Sequence, residues 1–222
     1  MSETRDENGA QSLTAAHGGW DGVYRDLKPE ELPWNAGGPD PDLVRLVESG
    51  AVPVGRAIDL GTGPGHDAVY LAQKGFKVLA VDIAPKAIDL ARSNARTARM
   101  NVAIDFRVED ALKLSSPAGS ANFVNDRGCF HTLDASSREL YARRVAEVLA
   151  PAGQLFLRTF SDKEPAGPGP HRFTRAELEA QWSPAFDFLE LGEGVFEGPR
   201  RPQAYFCLLR KKPAPAKGPS RK

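Results

Sequence analysis

Short apolar runs alternate along the chain with longer segments in which apolar residues recur at the spacing of a helix. The runs predict strands, and the first of them breaks into a glycine turn. Between the strands, helices are predicted at residues 84–100 and 137–149, each with an apolar face. The predicted strands cover residues 56–60, 77–82, 102–108, 122–126, 154–159, 186–191 and 203–209.

Strand and helix alternate up to residue 159, which predicts a parallel sheet covered by helices on both faces. The last two strands have no helix between them, so we expect a hairpin that makes one edge strand antiparallel. The sequence therefore predicts an α/β fold. Its core is a Rossmann-like seven-stranded sheet, mostly parallel with one antiparallel edge strand, and helices lie on both faces.

Three parts of the chain differ in composition. Residues 1–18 are polar and without periodicity, and they are expected to be disordered. Residues 19–210 are expected to form a single domain, in which residues 19–50 are an N-terminal lid segment and first helix. Asp40 and Pro41 predict the start of that helix. Residues 211–222 are expected to be a disordered, basic, proline-rich tail.

Composition and charge argue against several classes of protein. With 222 residues, 41% of them hydrophobic, the chain can build one full core. A formal net charge of zero does not indicate a general nucleic-acid surface. No apolar run reaches the roughly 18 residues of a membrane span, and the N-terminus lacks a signal-peptide core. Cys129 and Cys207 fit no zinc spacing, so no metal is expected, and the cytoplasm is the expected compartment.

The glycine turn after the first strand indicates the kind of ligand. It reads Asp59-Leu60-Gly61-Thr62-Gly63-Pro64-Gly65, and the next strand ends in Asp82, 21 residues after Gly61. Strand, glycine turn, helix, strand and acid in this order hold a nucleoside in doubly wound sheets. A dinucleotide turn would have its third glycine where His66 stands, and no phosphate-loop pattern is present. An NAD-dependent oxidoreductase is therefore disfavoured.

The segment 58–65 resembles the first motif of class I S-adenosylmethionine-dependent methyltransferases, apolar-Asp/Glu-x-G-x-G-x-G, at every position. The resemblance implies S-adenosyl-L-methionine as cofactor and S-adenosyl-L-homocysteine as product. It also implies that Asp82 accepts from the ribose hydroxyls, Asp59 faces the methionine ammonium and Asp110 accepts from the adenine amine. The implied cofactor-binding residues are Trp34, Asp59, Gly61, Thr62, Gly63, Gly65, Asp82, Ile83, Glu109, Asp110, Ala111 and Asp126.

The end of the fourth strand resembles one subgroup of that family. Asp126-Arg127-Gly128 is similar to thiopurine S-methyltransferases, and Gly128-Cys129-Phe130-His131 is similar to small bacterial members of the thiopurine, tellurite and thiol methyltransferase group. The acid or Asn followed by two prolines and an aromatic, typical of base-amine methylases, is missing, which argues against DNA or RNA methylation. The resemblance implies a small-molecule acceptor with sulfur, selenium or tellurium as the acceptor atom.

Two other functions stay open at this point. One is methyl transfer to the oxygen of a phenol or heterocycle, with His131 as the base. The other is a module that binds S-adenosylmethionine without catalysis. In all three cases we expect no nucleic-acid or membrane partner, and a monomer or weak homodimer.

Arg127 and His131 are the candidate catalytic residues. Arg127 is a permanent cation that can hold an anionic nucleophile, or it can pair with a strand-end acid such as Asp126. His131 can accept a proton near neutral pH, or it can bond to the backbone at a helix start. The expected acceptor-binding residues are Trp20, Tyr24, Arg127, Phe130 and Arg172.

The aromatic residues near the N-terminus have two interpretations. Trp20, Tyr24 and Trp34 either form a lid that excludes water and covers the sulfonium, or they form a hydrophobic strap on the domain. Arg172, beside a linker rich in proline and glycine, lines the substrate entrance or is an ordinary surface arginine.

Overall fold

The computed structural model describes residues 9–100, 103–198 and 200–213, and a seven-stranded sheet forms its centre. The strands are β1 (Arg56–Leu60), β2 (Lys77–Asp82), β3 (Ile104–Val108), β4 (Ala121–Arg127), β5 (Leu149–Phe160), β6 (Phe186–Val195) and β7 (Gln203–Lys211). Their order across the sheet is β3-β2-β1-β4-β5-β7-β6. β1 to β5 pair in parallel, whereas β7 runs antiparallel to both of its neighbours. The predicted fold class is confirmed, and the C-terminal hairpin has β6 outermost.

Helices cover both faces of the sheet. Within the described residues they are α1 (Gly9–His17), α2 (Trp20–Asp26), α3 (Pro41–Glu48), α4 (His66–Gln73), α5 (Pro85–Thr97), α6 (Ala135–Val148) and α7 (Arg175–Trp182). Short 3-10 helices occupy Pro29–Glu31, Ala111–Lys113 and Phe130–Thr132. None of the helices in these parts of the chain is both long and apolar enough to cross a bilayer.

Alternate residues of the central strands face two apolar layers, because successive side chains of a strand point to opposite faces. In β1, Ile58 packs in the layer that contains Tyr141 of α6 and Trp182 of α7. Ala57 packs in the opposite layer with Leu71 of α4, among other residues of α3 to α5. The two layers hold β1 and β4 rigidly in the middle of the molecule.

The chain order of the strands reverses between β1 and β4. From β1 the chain moves outward to β2 and β3, and it then returns to the other side of β1 as β4. Ligands in such sheets bind beyond the carboxyl ends of the strands at this reversal. The registers place Asp59 beside Asn125, and Leu60 beside Asp126, at that edge.

Side chains cap the first turns of two helices, α3 and α7. Asp40 Oδ1 accepts from the backbone nitrogens of Asp42 (2.9 Å) and Leu43 (3.2 Å) at the start of α3. Thr174 and Glu177 form a capping box at the start of α7. The helix after Asp40 therefore begins where the sequence predicted.

Two expectations about the chain ends are corrected. Residues 9–17 form α1, although residues 1–18 were expected to be disordered; His17 Nδ1 lies 3.0 Å from Asp26 Oδ2 of α2, which ties the two helices together. The C-terminal strand ends at Lys211, whose ammonium donates to the Leu149 carbonyl (2.6 Å), so the predicted tail begins later than residue 211. Residues 1–8 and 214–222 lie outside the described residues.

Candidate functional site

The glycine turn leads from β1 into α4 and is hydrogen-bonded to the end of β2. Gly61 and Gly63 have φ of 63° and 50°, a conformation that favours glycine. Thr62 donates its backbone N–H to the Val81 carbonyl (2.9 Å), and Gly63 donates its own to Asp82 Oδ2 (2.9 Å). The turn is therefore fixed against the acid that was predicted to bind ribose.

Two glycines of the turn are also required by protein packing. A Cβ built on Gly61 would lie 2.9 Å from Cys129 Cβ, so the turn approaches the segment after β4 closely. A Cβ on Gly65 would lie 2.8 Å from Ala91 Cβ of α5. The sequence prediction assigned Gly65 to the cofactor, whereas in the structure it allows α4 and α5 to approach each other.

Asp82 lies at the end of β2, with the apolar side chain of Ile83 next to it. Asp82 Oδ1 accepts from the backbone nitrogen of Ala84 (2.9 Å), and burial raises the pKa of its carboxyl. Ile83 is 54% exposed and Val108, at the end of β3, is 53% exposed. An exposed apolar edge beside a hydrogen-bonding carboxylate fits a nucleoside, whose base is flat and whose sugar carries hydroxyls.

Glu109, Asp110 and Ala111 follow β3 at the same edge of the sheet. Asp110 Oδ1 accepts from the backbone nitrogen of Leu112 (2.9 Å) and caps the short helix that begins at Ala111. Glu109 Oε1 accepts from the backbone nitrogen of Ser115. These three residues lie at the predicted place, and the two carboxylates also stabilise the loop.

A buried acidic cluster lies beneath the glycine turn. Asp59 Oδ2 accepts from Thr62 Oγ1 (2.5 Å), and Asp59 Oδ1 accepts from Asn125 Nδ2 (2.6 Å), which also donates to Asp67 Oδ2 (3.3 Å). Burial, followed by the charge of Asp67, raises the pKa of Asp59 to about 7. A cationic ligand group near Asp59 would stabilise its ionised form.

Arg127 joins three separate parts of the chain. Its guanidinium donates to Asp40 Oδ2 (3.2 Å), to the Trp34 carbonyl (3.1 Å) and to the Glu197 carbonyl (3.3 Å). Asp40 also pairs with the buried Arg158, at 3.1 Å. The predicted partner Asp126 is not the one observed, because Asp126 and Arg127 are consecutive in β4 and point to opposite faces.

The aromatic segment, residues 20–34, lies over the glycine turn. Trp34 Nε1 donates to the Tyr24 hydroxyl (2.8 Å), and that hydroxyl lies 2.8 Å from where a Cβ on Gly63 would be. Trp20 packs edge-on against Trp34, with ring centroids 5.6 Å apart. Tyr24 and Trp34 thus cover the turn directly, and Trp20 supports Trp34 from behind.

Between the aromatic segment and the turn there is a cavity of about 50 Å³. Its walls include Trp34, Asp59, Gly61, Gly63 and Arg127. A drug-sized ligand needs a pocket of about 300 Å³ or more. The cavity is therefore too small to hold a nucleoside while the aromatic segment lies over the turn.

Asp126 and Phe130 lie in the core rather than at this cavity, so the structure corrects their predicted contact with ligands. Asp126 is fully buried and accepts from the backbone nitrogens of Cys129 (2.6 Å) and Phe130 (3.0 Å) and from the Tyr141 hydroxyl (2.5 Å). Burial raises its pKa to about 6. The fully buried Phe130 stacks on Phe173, with ring centroids 5.1 Å apart.

His131 is bonded to the backbone. Its Nδ1 accepts from the backbone nitrogen of Phe160 (3.0 Å), so the neutral ring carries its proton on Nε2. Burial, followed by the charge of Arg127, lowers the pKa of His131 to about 3. The ring is therefore neutral at physiological pH with its acceptor nitrogen occupied, and it is not arranged as a general base.

Arg172 belongs to the proline- and glycine-rich linker. It donates to the carbonyls of Pro165 (3.0 Å) and Pro170 (3.4 Å), which stabilises the linker. The structure shows no contact of Arg172 with the glycine turn or with the end of β4.

Sequence reasoning missed several residues that the fold brings to the end of β4. They are Asp40, Asp67, Asn125, Phe160 and Phe196. Asn125 could have been found because it precedes the predicted Asp126, and Asp67 because it follows the predicted Gly65 by two residues. Phe160 and Phe196 carry no local signal, since only the fold places them against His131.

Comparison with known proteins identifies the family. Residues 57–153 match the model described as "Methyltransferase domain". Over 162 residues the chain is 33% identical to the 2-heptyl-1-hydroxyquinolin-4(1H)-one methyltransferase of Mycobacteroides abscessus, a match that covers 70% of each chain. The chain belongs to the methyltransferase family.

Another relative of this methyltransferase agrees with the family, and a solved structure shares its fold. The methyltransferase is 28% identical over 186 residues to probable thiol methyltransferase 2 of Arabidopsis thaliana, which covers 83% of the chain and 80% of the relative. A structure from work on the conversion of a disulfide bond into a thioacetal group during echinomycin biosynthesis has a TM-score of 0.77 at 24% identity, covering 90% and 93% of the two chains.

The cofactor of the methyltransferase is S-adenosylmethionine. The 1,6-didemethyltoxoflavin-N1-methyltransferase of Burkholderia thailandensis, solved with bound S-adenosylhomocysteine, shares the fold with a TM-score of 0.67 at 19% identity, covering 92% of this chain and 87% of that one. The residues present fit the cofactor, because a buried acid, a strand-end carboxylate and an exposed apolar edge surround one turn. No group of three or more His, Cys, Asp or Glu side chains in the described part of the chain is arranged to hold a metal ion.

Proposed function

We propose that this methyltransferase methylates a small-molecule acceptor that reaches the site already ionised, with the sulfur of a thiolate, or a related chalcogen, as the acceptor atom. The observation that supports this most strongly is the state of His131. Its Nδ1 accepts a hydrogen bond from the backbone and its pKa is lowered to about 3, so it cannot take up a proton.

The neighbours of His131 do not supply a base either. No described residue from Asn125 to His131 has a side chain that is both accessible and able to accept a proton at neutral pH. Burial raises the pKa of the Cys129 thiol, which keeps it protonated. The carboxylate of Asp126 is fully buried and already holds three donors.

Because residues 125–131 supply no base, we infer that the acceptor loses its proton to solvent before it reacts. A thiol with a pKa of about 8.5 is ionised to a few per cent at pH 7, whereas a phenol with a pKa of about 10 is ionised far less. S-adenosylmethionine supplies an electrophilic methyl carbon: the acceptor's lone pair forms the new bond while the methyl–sulfonium bond breaks, and its electrons stay on sulfur. The protein contributes positioning and exclusion of water, which are worth up to about 7–11 kcal/mol when alignment is ideal.

A second acceptor atom is oxygen on a heteroaromatic ring. It is supported by the relative that acts on a 1-hydroxyquinolin-4(1H)-one, since an N-hydroxyl of this kind is more acidic than a phenol. The thiol and thiocyanate methyltransferases among the relatives support sulfur. For a heteroaromatic acceptor, through either sulfur or oxygen, we place His131 as a hydrogen-bond donor, and not as the base that the sequence suggested.

We assign the cofactor contacts on the basis of the strand ends. Asp82 would accept from the ribose hydroxyls, Asp59 would attract the methionine ammonium, and Ile83 would pack against the base. Tyr24 and Trp34 would act as a lid, which Arg127 holds through the Trp34 carbonyl. The cytoplasmic location and the monomer or weak homodimer stay predictions.

The proposal is tested by an assay that follows methyl transfer from labelled S-adenosylmethionine. The acceptor panel contains thiols, thiopurines, thiocyanate, tellurite, selenite, N-hydroxyquinolones and phenols, each measured between about pH 6 and pH 9. We expect turnover of the acidic acceptors. For each acceptor whose pKa lies in this range, kcat/KM should rise through that pKa rather than through one pKa common to all, and thiocyanate, already ionised, should give a flat profile.

Two results would contradict the proposal. If phenols were the best acceptors and every acceptor gave the same pKa in the profile, the protein would supply a base. If the protein bound S-adenosylmethionine by calorimetry but methylated no member of the panel, a non-catalytic binding module would be favoured.

A further inference from the structure

We propose that His131 Nε2–H is the hydrogen-bond donor of an acceptor subsite, walled by Phe160 and Phe196, that binds a planar heteroaromatic anion through its charged oxygen or sulfur. The inference rests on the proposed function and specifies its substrate class.

The orientation of the His131 ring is fixed. The hydrogen bond from the Phe160 backbone holds Nδ1, and the ring packs edge-on against the Phe160 ring with centroids 4.9 Å apart. The Phe196 ring contacts it on another side, at 5.3 Å between centroids. Because one nitrogen is bonded and two rings hold the imidazole, the direction of Nε2–H is set before any ligand arrives.

Nε2–H has no hydrogen-bond partner among the described residues, although His131 is only 5% exposed. Nε2 is not completely enclosed by protein atoms, so it keeps some accessible surface. Buried donors are normally satisfied, and an accessible donor on a nearly buried ring is what a ligand subsite requires.

A side chain at position 128, where the chain has Gly128, would crowd this donor. Its φ is 93°, and a Cβ there would lie 3.0 Å from His131 Nε2 and 3.4 Å from Phe196 Cε1. The next residue, Cys129, packs directly against Gly61 of the glycine turn. Since consecutive Cα atoms are about 3.8 Å apart, the subsite adjoins the turn that we assign to the cofactor.

The surroundings select the chemistry of the occupant. Phe160 and Phe196 offer aromatic surfaces with centroids 5.4 Å apart, which favours a flat ring. The Arg127 guanidinium lies 5.4 Å from the Phe196 centroid, and its charge is one reason why the pKa of His131 is lowered. A positive field that disfavours the imidazolium favours an anion at the same place.

The first test compares two acceptors in two variants. His131→Leu removes the donor, whereas His131→Gln keeps an amide donor and serves as the rescue. For an N-hydroxyquinolone or thiopurine anion, we expect His131→Leu to raise KM about 10- to 100-fold and His131→Gln to recover most of that loss. For 2-mercaptoethanol, which has no ring to pack between Phe160 and Phe196, the loss of kcat/KM in His131→Leu should be at least about tenfold smaller than for the aromatic anion.

Phe196→Leu tests the aromatic wall without touching the hydrogen bond to Phe160. We expect it to raise KM for the aromatic acceptors about fivefold and to leave the affinity for S-adenosylhomocysteine unchanged. Equal losses for aromatic and aliphatic acceptors in the His131 and Phe196 variants would overturn the subsite, while methyl transfer by the wild type would still support the proposed function.

A measurement on the wild type covers the case in which a variant does not fold. In the protein labelled with ¹⁵N-histidine and saturated with S-adenosylhomocysteine, the His131 Nε2–H resonance should shift downfield on addition of the heteroaromatic anion. It should not shift on addition of 2-mercaptoethanol. An unchanged resonance in the presence of saturating aromatic anion would overturn the inference, even if no acceptor were turned over.

Discussion

The glycine turn and the end of β4 lie side by side, yet the chain builds them in different ways. The turn is local: Asp59, Gly61, Gly63 and Asp82 come from two consecutive strands, and backbone hydrogen bonds fix them to one another. The end of β4 depends on distant segments, because His131 is held by Phe160 and Phe196 and Arg127 by residues 34, 40 and 197.

The difference bears on the two proposed ligands, the cofactor at the glycine turn and the methyl acceptor at the end of β4. A site encoded by backbone conformation suits a cofactor that is common to a whole family. A site assembled from side chains of several loops can change its occupant through single substitutions while the fold stays the same. The relatives fit this division, since they share the domain while their names give different acceptors.

Replacement of Asp82 is expected to have the largest effect on cofactor affinity. It tests the glycine turn, which is the locally encoded region of the two. Asp82→Ala removes the carboxylate that fixes Gly63 and that we assign to ribose, so the affinity for S-adenosylhomocysteine should fall at least about 100-fold. Calorimetric titration measures it. Asp105→Ala, which removes an exposed carboxylate of β3, is the matched control and should leave the affinity unchanged. Undiminished affinity in Asp82→Ala would refute the ribose assignment.

The pKa of Asp59 predicts how cofactor binding depends on pH. Its folded-state pKa of about 7 lies above the ordinary value of the carboxyl, so the free protein takes up a proton there as the pH falls. Affinity for the cationic cofactor should therefore fall, approaching about tenfold per pH unit below pH 7. Calorimetry between about pH 8 and pH 5.5 tests this, and a flat profile would contradict a contact between Asp59 and the ammonium.

The same residue predicts an opposite effect on stability. The folded state binds the Asp59 proton more tightly than the unfolded chain, so the contribution of Asp59 to stability falls as the pH rises from about 4 to 7. Asp59→Asn removes the buried charge and keeps one acceptor oxygen, while its NH2 must donate where Asp59 accepted. It should raise the free energy of unfolding at pH 7.5 by about 2 kcal/mol. Denaturant titration at pH 7.5 and pH 4 measures the difference, which should shrink at pH 4.

The aromatic segment contacts the glycine turn and, through the Trp34 carbonyl, Arg127 at the end of β4. We expect its replacement to lower the affinity for the cofactor less than replacement of Asp82 does. Trp34→Ala removes the ring that holds the Tyr24 hydroxyl over Gly63, so the affinity for S-adenosylmethionine should fall about fivefold. Limited proteolysis should show residues 20–34 protected by S-adenosylhomocysteine in the wild type but not in this variant. Cleavage at the same rate with and without ligand in the wild type would favour a structural strap.

Replacement of Phe130 is expected to have the smallest effect on catalysis. It tests whether this core residue lies outside the proposed acceptor site. Phe130→Leu alters the core around Phe173 and Trp182, and we expect it to cost about 1–2 kcal/mol of stability. The KM of every acceptor should stay within about twofold of the wild type. A selective rise in KM for aromatic acceptors would return Phe130 to the acceptor site.

The sequence predicted what is local and failed where the fold decides. Strand ends, the glycine turn and Asp82 could be placed because apolar periodicity and φ-positive glycines are properties of short segments. Asp126 was placed wrongly because a shift of one residue in a strand reverses the face of a side chain, and only the neighbouring strands fix which face is which.

His131 shows the second limit of the sequence. Its interpretation as a base depended on a free Nδ1, and the group that occupies Nδ1 is the backbone nitrogen of Phe160, at the far end of β5. Backbone hydrogen bonds between distant segments leave no trace in residue types. The helix at residues 9–17 was missed for a related reason, since its contact with α2 depends on tertiary structure rather than on apolar periodicity.

The bonds of Arg127 have a consequence for the order of binding. One guanidinium holds both the carbonyl of Trp34 and the carbonyl of Glu197, next to Phe196. Movement of the aromatic segment for an entering cofactor would therefore also loosen the loop that carries Phe196, and the proposed acceptor subsite would be complete only after both segments close over the bound cofactor. Steady-state kinetics should accordingly follow a compulsory sequence in which S-adenosylmethionine binds first and S-adenosylhomocysteine leaves last. Product inhibition by S-adenosylhomocysteine should then be competitive against S-adenosylmethionine and noncompetitive against the acceptor.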